Sequence, residues 1–147
     1  MGEDVCIRVG THHDIRAIYR IEQLTFPETP WTLEMITQEL SRYTDRKTWI
    51  LVQGEIIIGY CMVRFGPEKV HLINMAVDPS FQKMGVGQKL LHHFLDNTPE
   101  NSSVFLEVER GNFPAINLYL DAGFEEVAIR EKYYTDDEDA IIMCLKV

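Results

Sequence analysis

The sequence NMAVDPSFQKMGVGQKLL, residues 74–91, decides the fold of this chain. It begins as an apolar strand that ends at Val77, turns at Asp78-Pro79, and continues through a glycine-rich loop. An amphipathic helix follows, with Val86 and Leu90 on its apolar face. A glycine-rich loop that opens a helix leaves backbone N–H groups free, which suits a phosphate group. We therefore expect this stretch to hold the phosphate-bearing part of a ligand.

The composition indicates an ordinary soluble globular protein. Of the 147 residues, 46% are hydrophobic and 25% are charged, which predicts a single domain over residues 1–147 with a sizeable core. The formal net charge of −9 argues against nucleic acid or an anionic membrane as the main partner, but it tolerates a cationic one. The acidic start and the absence of a long apolar segment predict a cytoplasmic protein without a signal peptide.

The cysteines and histidines predict neither a disulfide framework nor a metal site. The cysteines are odd in number, widely spaced and within apolar runs, so we expect reduced thiols in the core. The histidines lack the spacing of a zinc-binding helix, so we expect them at the surface and predict no metal. These residues are Cys6, Cys61, Cys144, His12, His13, His71, His92 and His93.

Periodicity and turn residues predict the element order β-α-α-β-β-β-α-β-α-β-β. The strands are expected over Cys6–Val9, Thr48–Val52, Ile56–Phe65, Val70–Val77, Asn101–Glu109, Phe124–Arg130 and Ala140–Leu145. The helices are expected from Thr11 to about Phe26, around Trp31, Met35, Ile36 and Leu40, from Val86 to Leu95, and from Asn112 to Gly123. Ile56-Ile57-Ile58 is apolar without alternation, which predicts a strand covered on both faces. The order predicts an α/β (α+β) fold with helices on both faces of a mixed sheet.

The glycine loop matches neither of two common phosphate motifs. It lacks the spacing of a Walker loop, and Leu90 stands where the dinucleotide fingerprint needs a small third residue. The remaining pattern, Gln82-x-x-Gly85-x-Gly87 directly after a strand, resembles the pyrophosphate-binding signature of the GNAT (GCN5-related) N-acetyltransferases. That resemblance implies their fold, with a mostly antiparallel central sheet, and acetyl-CoA as the acetyl donor.

A larger set of residues resembles one branch of this family, the RimI-type enzymes. The set comprises Ile21-Glu22, Phe26-Pro27, Trp31, Asn74 to Pro79, Leu106-Glu107-Val108, Asn112, Ala115-Ile116, Leu118-Tyr119, Gly123-Phe124, Tyr133-Tyr134 and Glu138 to Met143. The resemblance implies an enzyme that acetylates the N-terminal alanine of a small-subunit ribosomal protein. Its partner would be a basic protein or peptide N-terminus.

The resemblance also assigns the residues that would bind acetyl-CoA. Backbone N–H groups of the loop would hold the pyrophosphate, exposed backbone of the preceding strand would hold the pantetheine and acetyl end, and the cap of a later helix would touch the cofactor. The residues concerned are Met75, Ala76, Val77, Lys83, Met84, Gly85, Val86, Gly87, Gln88 and Asn112.

Glu107 and Tyr119 are the candidate catalytic residues. Strand alternation places Glu107 on the face opposite Leu106 and Val108, which fits either a solvated surface or a partly buried cleft. The resemblance favours the cleft and makes Glu107 a general base, because a partly desolvated carboxylate can take a proton from an amine near neutral pH. It makes Tyr119 the general acid for the thiolate of coenzyme A, since a phenol is protonated at pH 7.

The acceptor side is less specified by the sequence. Trp31 lies in an aromatic and proline-rich loop that fits a rigid connector or a cleft wall equally well, and Tyr133 and Tyr134 fit either an acceptor site or the packing of the last hairpin. Glu109-Arg110-Gly111 departs from the Arg-Ala-Ser of RimI-type enzymes, which could change acceptor preference. An enzyme that acetylates a lysine or a small amine, and a non-catalytic module that senses acetyl-CoA, therefore remain alternatives.

Overall fold

A computed structural model describes residues 4–41, 44–131 and 139–147. These residues form seven strands and four α-helices in the predicted order. The strands are β1 (Val5–Val9), β2 (Arg46–Gln53), β3 (Ile56–Phe65), β4 (Lys69–Val77), β5 (Ser103–Glu109), β6 (Glu125–Arg130) and β7 (Ala140–Lys146). The helices are α1 (Ile15–Thr25), α2 (Leu33–Glu39), α3 (Val86–Asp96) and α4 (Phe113–Asp121).

The seven strands form one sheet in the order β1-β2-β3-β4-β5-β7-β6. Every neighbouring pair is antiparallel except β4 and β5, which are parallel. A parallel pair needs a crossover connection, and α3 lies in the segment that joins β4 to β5. The predicted mixed, mostly antiparallel sheet is therefore confirmed.

Two hydrophobic clusters lie on opposite faces of the sheet. The alternation of strand side chains divides β3 between them: Tyr60 and Met62 belong to one cluster, Cys61 and Val63 to the other. The first cluster contains buried residues of α1 and α2, and the second contains those of α3 and α4. Helices therefore cover both faces of the sheet, as predicted.

Capping residues set the helix ends where the sequence predicted them. Thr11 and Asp14 form a capping box at a short 3-10 turn that leads into α1. The side chain of Asn112 accepts a hydrogen bond from the N–H of Ala115 at the start of α4. Gly123 has φ of 104°, a left-handed conformation that ends the helix.

Some local predictions were wrong. Cys6 is exposed because β1 is an edge strand, so of the three thiols only that of Cys61 is fully buried. Ile56 is exposed at the start of β3, next to the hairpin turn, so coverage on both faces begins only at Ile58. Trp31 precedes α2, because the side chain of Thr32 caps that helix. β5 begins at Ser103 and not at Asn101 as predicted, because the chain turns at Asn101, which has positive φ.

The separation of β4 from β5 positions the cleft described below. Their described pairing runs only from Lys69–Ser103 to Leu72–Leu106. On the other edge of β4, the register with β3 slips between Leu72 and Asn74, so that Ile73 is an extra residue. Such a bulge bends the strand that contains it. β4 therefore diverges from β5 just before Met75.

No helix in the described part of the chain could span a membrane. The longest helices, α1 and α3, have 11 residues each, whereas a spanning helix needs about 20.

Candidate active site

The gap between β4 and β5 widens into a cleft with a volume of about 880 Å³. β4 and β5 supply its floor, α4 supplies one side, and the segment that joins α1 to α2 supplies the other. The cleft brings together six residues that are far apart in the sequence: Glu22, Trp31, Met75, Glu107, Asn112 and Tyr119. All of these except Glu22 were predicted as site residues.

The loop between β4 and α3 is fixed from below by Asp78. The buried carboxylate of Asp78 accepts a hydrogen bond from the N–H of Ser80 at 2.9 Å and pairs with Arg20 of α1 at 3.1 Å. The amide of Gln82 donates to the carbonyl of Val77 at 3.2 Å. The start of the loop is thus tied both to β4 and to α1.

The predicted phosphate loop has two left-handed residues, Lys83 with φ of 65° and Gly85 with φ of 80°. Left-handed residues that alternate with ordinary ones turn successive N–H groups toward one side and form an anion-binding concavity. Gly85 is also the N-cap of α3, where free N–H groups and the helix dipole favour a negative charge. The exposed loop residues and this geometry fit a pyrophosphate group.

The other residues predicted to bind acetyl-CoA lie in the loop, in α3 and in β4. Met84 and Gln88 are exposed, whereas Val86 is buried beneath the first turn of α3. A Cβ on Gly87 would lie 3.3 Å from Leu118, so a small residue there lets α3 and α4 approach each other. In β4, Met75 lines the cleft, Val77 is partly buried, and the side chain of Ala76 packs in the core beneath α1 and α2.

One face of α4 is turned toward the cleft. Asn112, Ala115 and Tyr119 are spaced by three and four residues, which places them on the same side of a helix, and all three line the cleft. Tyr119 is buried and packs edge-on against Phe124, with 5.8 Å between ring centroids. This packing fixes the ring of the candidate general acid.

Glu107 lies on the cleft side of β5, where its side chain is 17% exposed. This position agrees with the predicted alternation, since Leu106 and Val108 on the other face are buried. One carboxylate oxygen, Oε2, lies 2.5 Å from Nε2 of His71, and the other, Oε1, lies 3.9 Å from Nη1 of Arg130. His71 was predicted as a surface residue without a role, whereas its ring lies in the cleft and contacts Glu107.

Glu22 is the most buried carboxylate of the cleft, and the resemblance to RimI-type enzymes included this residue without assigning it a role. Its residue exposure is 1%, and it accepts hydrogen bonds from the hydroxyl of Tyr60, from Nδ2 of Asn74 at 2.6 Å and from the N–H of Trp31 at 2.9 Å. A signal was present in the sequence: Glu22 follows the core residue Ile18 by one helical turn, which places it on the buried face of α1.

The acceptor side of the cleft contains Phe26, Glu28 and Trp31 from the connection between α1 and α2. Of the two alternatives for that connection, the structure therefore supports the cleft wall. Arg64 also lines the cleft, but its guanidinium is hydrogen-bonded to buried Glu39 at 2.6 and 3.2 Å. Tyr133 and Tyr134, the other predicted acceptor residues, lie outside the described residues.

Within residues 4–41, 44–131 and 139–147, no three His, Cys, Asp or Glu side chains are placed to share a metal ion. The carboxylate of Asp139 pairs with Arg110 at 3.2 Å.

The fold and the loop define the class. The chain belongs to the Acetyltransferase (GNAT) family, whose sequence model matches residues 15–124. The predictions of the family, the fold, an acyltransferase activity and acetyl-CoA as the donor are thereby confirmed.

Two relatives within this family indicate which kind of acetyltransferase the chain resembles. The [ribosomal protein bS18]-alanine N-acetyltransferase of Escherichia coli K12 is 35% identical over 140 residues, which cover 91% of this chain and 92% of that protein. An N-α-acetyltransferase of Sulfolobus acidocaldarius is 34% identical over 152 residues, with coverage of 93% and 89%. These names agree with the function predicted from the sequence.

Solved structures give the same result. The crystal structure of the ribosomal-protein-S18-alanine N-acetyltransferase from Escherichia coli superposes with a TM-score of 0.88 at 33% identity, covering 97% of this chain and 93% of that one. Ard1 from Thermoplasma volcanium superposes with a TM-score of 0.89 at 28% identity, with 97% of each chain covered.

Proposed function

We propose that this protein transfers the acetyl group of acetyl-CoA to the N-terminal α-amino group of a protein, and that its acceptor is the N-terminal alanine of a small-subunit ribosomal protein. The names of the bacterial and archaeal relatives support this acceptor class. The single observation that carries the proposal is the placement of Glu107 and Tyr119 in one cleft, at the point where β4 leaves β5.

Glu107 would act as the general base. The acceptor amine must lose its proton before it attacks the thioester carbonyl, and Glu107 lies on the cleft floor with a side chain that is mostly shielded from water. An α-amino group has an ordinary pKa near ~8, against ~10.4 for lysine, so it is easier to neutralise at physiological pH. The proton would pass from the ammonium to the carboxylate before or during formation of the C–N bond.

Backbone N–H groups of β4 would stabilise the oxyanion, and Tyr119 of α4 would protonate the leaving thiolate. Attack on the carbonyl carbon develops a negative charge on its oxygen, and the edge of β4 that β5 does not cover offers backbone N–H groups near Met75 to stabilise it. Collapse of the tetrahedral intermediate breaks the C–S bond. Tyr119 would then give its phenolic proton to the departing thiolate. Its phenolate would be reprotonated by solvent or by the proton that the acceptor amine gave up.

The charge of the cleft favours a basic acceptor tail. Glu28 and Glu109 line it in addition to Glu107, while the positive charge of Arg64 is paired with Glu39. The chain as a whole carries a formal charge of −9. An acceptor peptide with arginine or lysine after its first residue would therefore be attracted to the cleft and would bind less tightly at high salt.

A pair of peptides tests the acceptor. One begins with a free Ala-Arg and contains no lysine; the other has a blocked N-terminus and an internal lysine. Mass spectrometry after incubation with acetyl-CoA should find acetylation of the first peptide only. Acetylation confined to the second would overturn the N-terminal assignment, and acetyl-CoA binding without turnover of either peptide or of small amines would favour the sensing module.

Two variants test the catalytic residues. Glu107→Gln and Tyr119→Phe should each lower kcat by about 10²-fold or more while leaving the affinity for acetyl-CoA nearly unchanged. Glu126→Gln is a matched control, because Glu126 is an exposed glutamate of the edge strand β6. A pH–rate profile that is the same in Glu107→Gln and in the unmodified protein would remove Glu107 from the role of base.

We also propose a cytoplasmic location and a single acetyltransferase domain over residues 1–147. The acceptor class supports the location, because ribosomal proteins are made and assembled where ribosomes are. The continuous sheet from β1 to β7 supports the domain assignment. Limited proteolysis that releases a stable fragment lacking β1 or β7 would contradict it.

A further inference from the structure

We propose that a basic groove beside the first turn of α1 binds the phosphate group of a small phosphorylated molecule. The groove has a volume of about 360 Å³ and lies between the 3-10 turn His12–Asp14, the start of α1 and one side of α2. Its lining residues are His12, His13, Ile15, Arg16, Leu33 and Thr37. None of them lines the cleft between β4 and β5, so the inference does not depend on the proposed catalytic roles.

Arg16 is the strongest donor of the groove. Its guanidinium has no hydrogen bond or ion pair within residues 4–41, 44–131 and 139–147. Every other arginine of those ranges pairs with a carboxylate, namely Arg8, Arg20, Arg46, Arg64, Arg110 and Arg130. The chain has 23 acidic against 14 basic side chains, so carboxylate partners are plentiful. An exposed guanidinium without such a partner is suited to bind an external oxyanion through two parallel hydrogen bonds.

His12 and His13 add two further donors beside Arg16. Both side chains are exposed, and their ring centroids lie 4.0 Å apart. An imidazole carries at least one N–H in either protonation state, so each ring can donate to a phosphate oxygen. The capping box of Thr11 and Asp14 fixes the turn that carries the two rings. The donors of the groove are therefore side chains on a well-defined piece of backbone.

No carboxylate lines the groove, although acidic groups occur on the elements around it. Asp14 directs both oxygens to the guanidinium of Arg8 at 3.0 Å. Glu39 of α2 is buried in ion pairs, and Glu34 of α2 is exposed outside the groove. The groove therefore differs in charge from the cleft between β4 and β5, which several glutamates line. A bound anion would meet donors without a competing acid.

Ile15 and Leu33 give the groove an apolar part. Both are partly buried, and Ile15 packs against the cluster beneath α1 and α2. The volume is at the lower end of the range for small-molecule sites, about 300–1,000 Å³. A mixed lining of this size fits a phosphate group attached to one compact apolar body. A long polyanion such as nucleic acid would be repelled by the formal charge of −9 on the chain.

An NMR titration of the His12 and His13 ring signals tests the site, with phenyl phosphate as the probe. Saturating coenzyme A is added first, so that the phosphate loop before α3 is occupied. Both ring signals should shift saturably with a Kd of about 1–10 mM. Inorganic phosphate should bind more weakly because it lacks the apolar body, and benzyl alcohol should cause no shift because it lacks the phosphate. His12→Gln and His13→Gln assign the two signals.

Three variants separate specific binding from general attraction of charge. Arg16→Gln should weaken the binding of phenyl phosphate by about tenfold, and the core is unaffected because Arg16 is exposed. Lys146→Gln is the matched control, since it removes an exposed positive charge from β7 outside the groove, and it should change the Kd by less than about twofold. Leu33→Ala should weaken phenyl phosphate by about threefold and leave inorganic phosphate unchanged. Thermal melting shows whether each variant folds.

Three results would overturn the site: no saturable shift of either histidine ring, equal effects of Arg16→Gln and Lys146→Gln, or equal shifts with benzyl alcohol and phenyl phosphate. Saturable shifts that require the phosphate and the guanidinium of Arg16 support it. The activity of Glu107→Gln has no bearing on either result, because Glu107 lies outside the groove.

Discussion

Glu22 of α1 accepts a hydrogen bond from the hydroxyl of Tyr60 of β3, and both side chains are almost completely buried. The same carboxylate binds Asn74 and the N–H of Trp31, so it links α1, two strands and the loop that forms the acceptor wall. A buried carboxylate is tolerated only when donors surround it. The buried hydrogen bonds of Glu22 therefore hold the acceptor wall of the cleft in position.

Replacing Tyr60 with phenylalanine should destabilise the protein by about 1–3 kcal/mol, because the buried carboxylate of Glu22 would lose a donor while the ring packing is kept. Urea unfolding measures the change. Tyr19→Phe is the matched control: the Tyr19 hydroxyl accepts an exposed hydrogen bond from Gln23, so its loss should cost at most about 0.5 kcal/mol. Equal effects of the two substitutions would show that burial of the bond contributes nothing.

Acid should destabilise the fold through Asp14. Burial alone would raise the pKa of this carboxyl, but hydrogen bonds from Arg8 at 3.0 Å and from the N–H of Thr11 at 2.7 Å lower the pKa below its ordinary value. A lowered pKa means that the stabilisation is fully present above the pKa of the unfolded chain, about 3.9, and is lost as the pH falls through the lower folded value.

Unfolding free energies measured between about pH 2 and pH 6 test this assignment. Asp14→Asn should be less stable than the unmodified protein at pH 6 and should lose less stability on acidification, so that the two curves converge at low pH. Asp121→Asn, at an exposed position of α4, should leave the curve unchanged. Parallel curves for Asp14→Asn and the unmodified protein would contradict the role of Asp14.

Gly85→Ala and Gly87→Ala separate backbone strain from side-chain crowding in the phosphate loop. No heavy atom lies within 4 Å of the Cβ that alanine would add at Gly85, but φ of 80° there costs a residue with a Cβ about 1–2 kcal/mol. At Gly87 the added Cβ would lie 3.3 Å from the terminal methyl of Leu118, which can move. The affinity for acetyl-CoA should therefore fall more in Gly85→Ala, as isothermal titration calorimetry would measure. A larger loss in Gly87→Ala would place the constraint in packing between α3 and α4.

Local pattern was sufficient to predict the elements that depend on neighbouring residues. The alternation around Glu107, the cap at Asn112 and the glycine-rich loop that opens α3 are properties of a few consecutive positions. His71 and Glu107 are 36 positions apart, and their contact depends on the register of two parallel strands. That register is set by the core as a whole, so no local pattern could indicate the pair.

Asn112 has two proposed roles that substitutions can separate. Its side chain accepts a hydrogen bond from the N–H of Ala115 at 3.3 Å, and it also lines the cleft, where it is proposed to touch acetyl-CoA. Asn112→Ala should cost about 1 kcal/mol of stability, and Asn112→Ser should restore most of it, because serine is also a good N-cap. Both variants lack the amide group that would reach the cofactor, so both should bind acetyl-CoA more weakly by a similar factor. If affinity followed stability instead, with serine restoring both, the contact of Asn112 with the cofactor would be excluded and the cap alone would explain the residue.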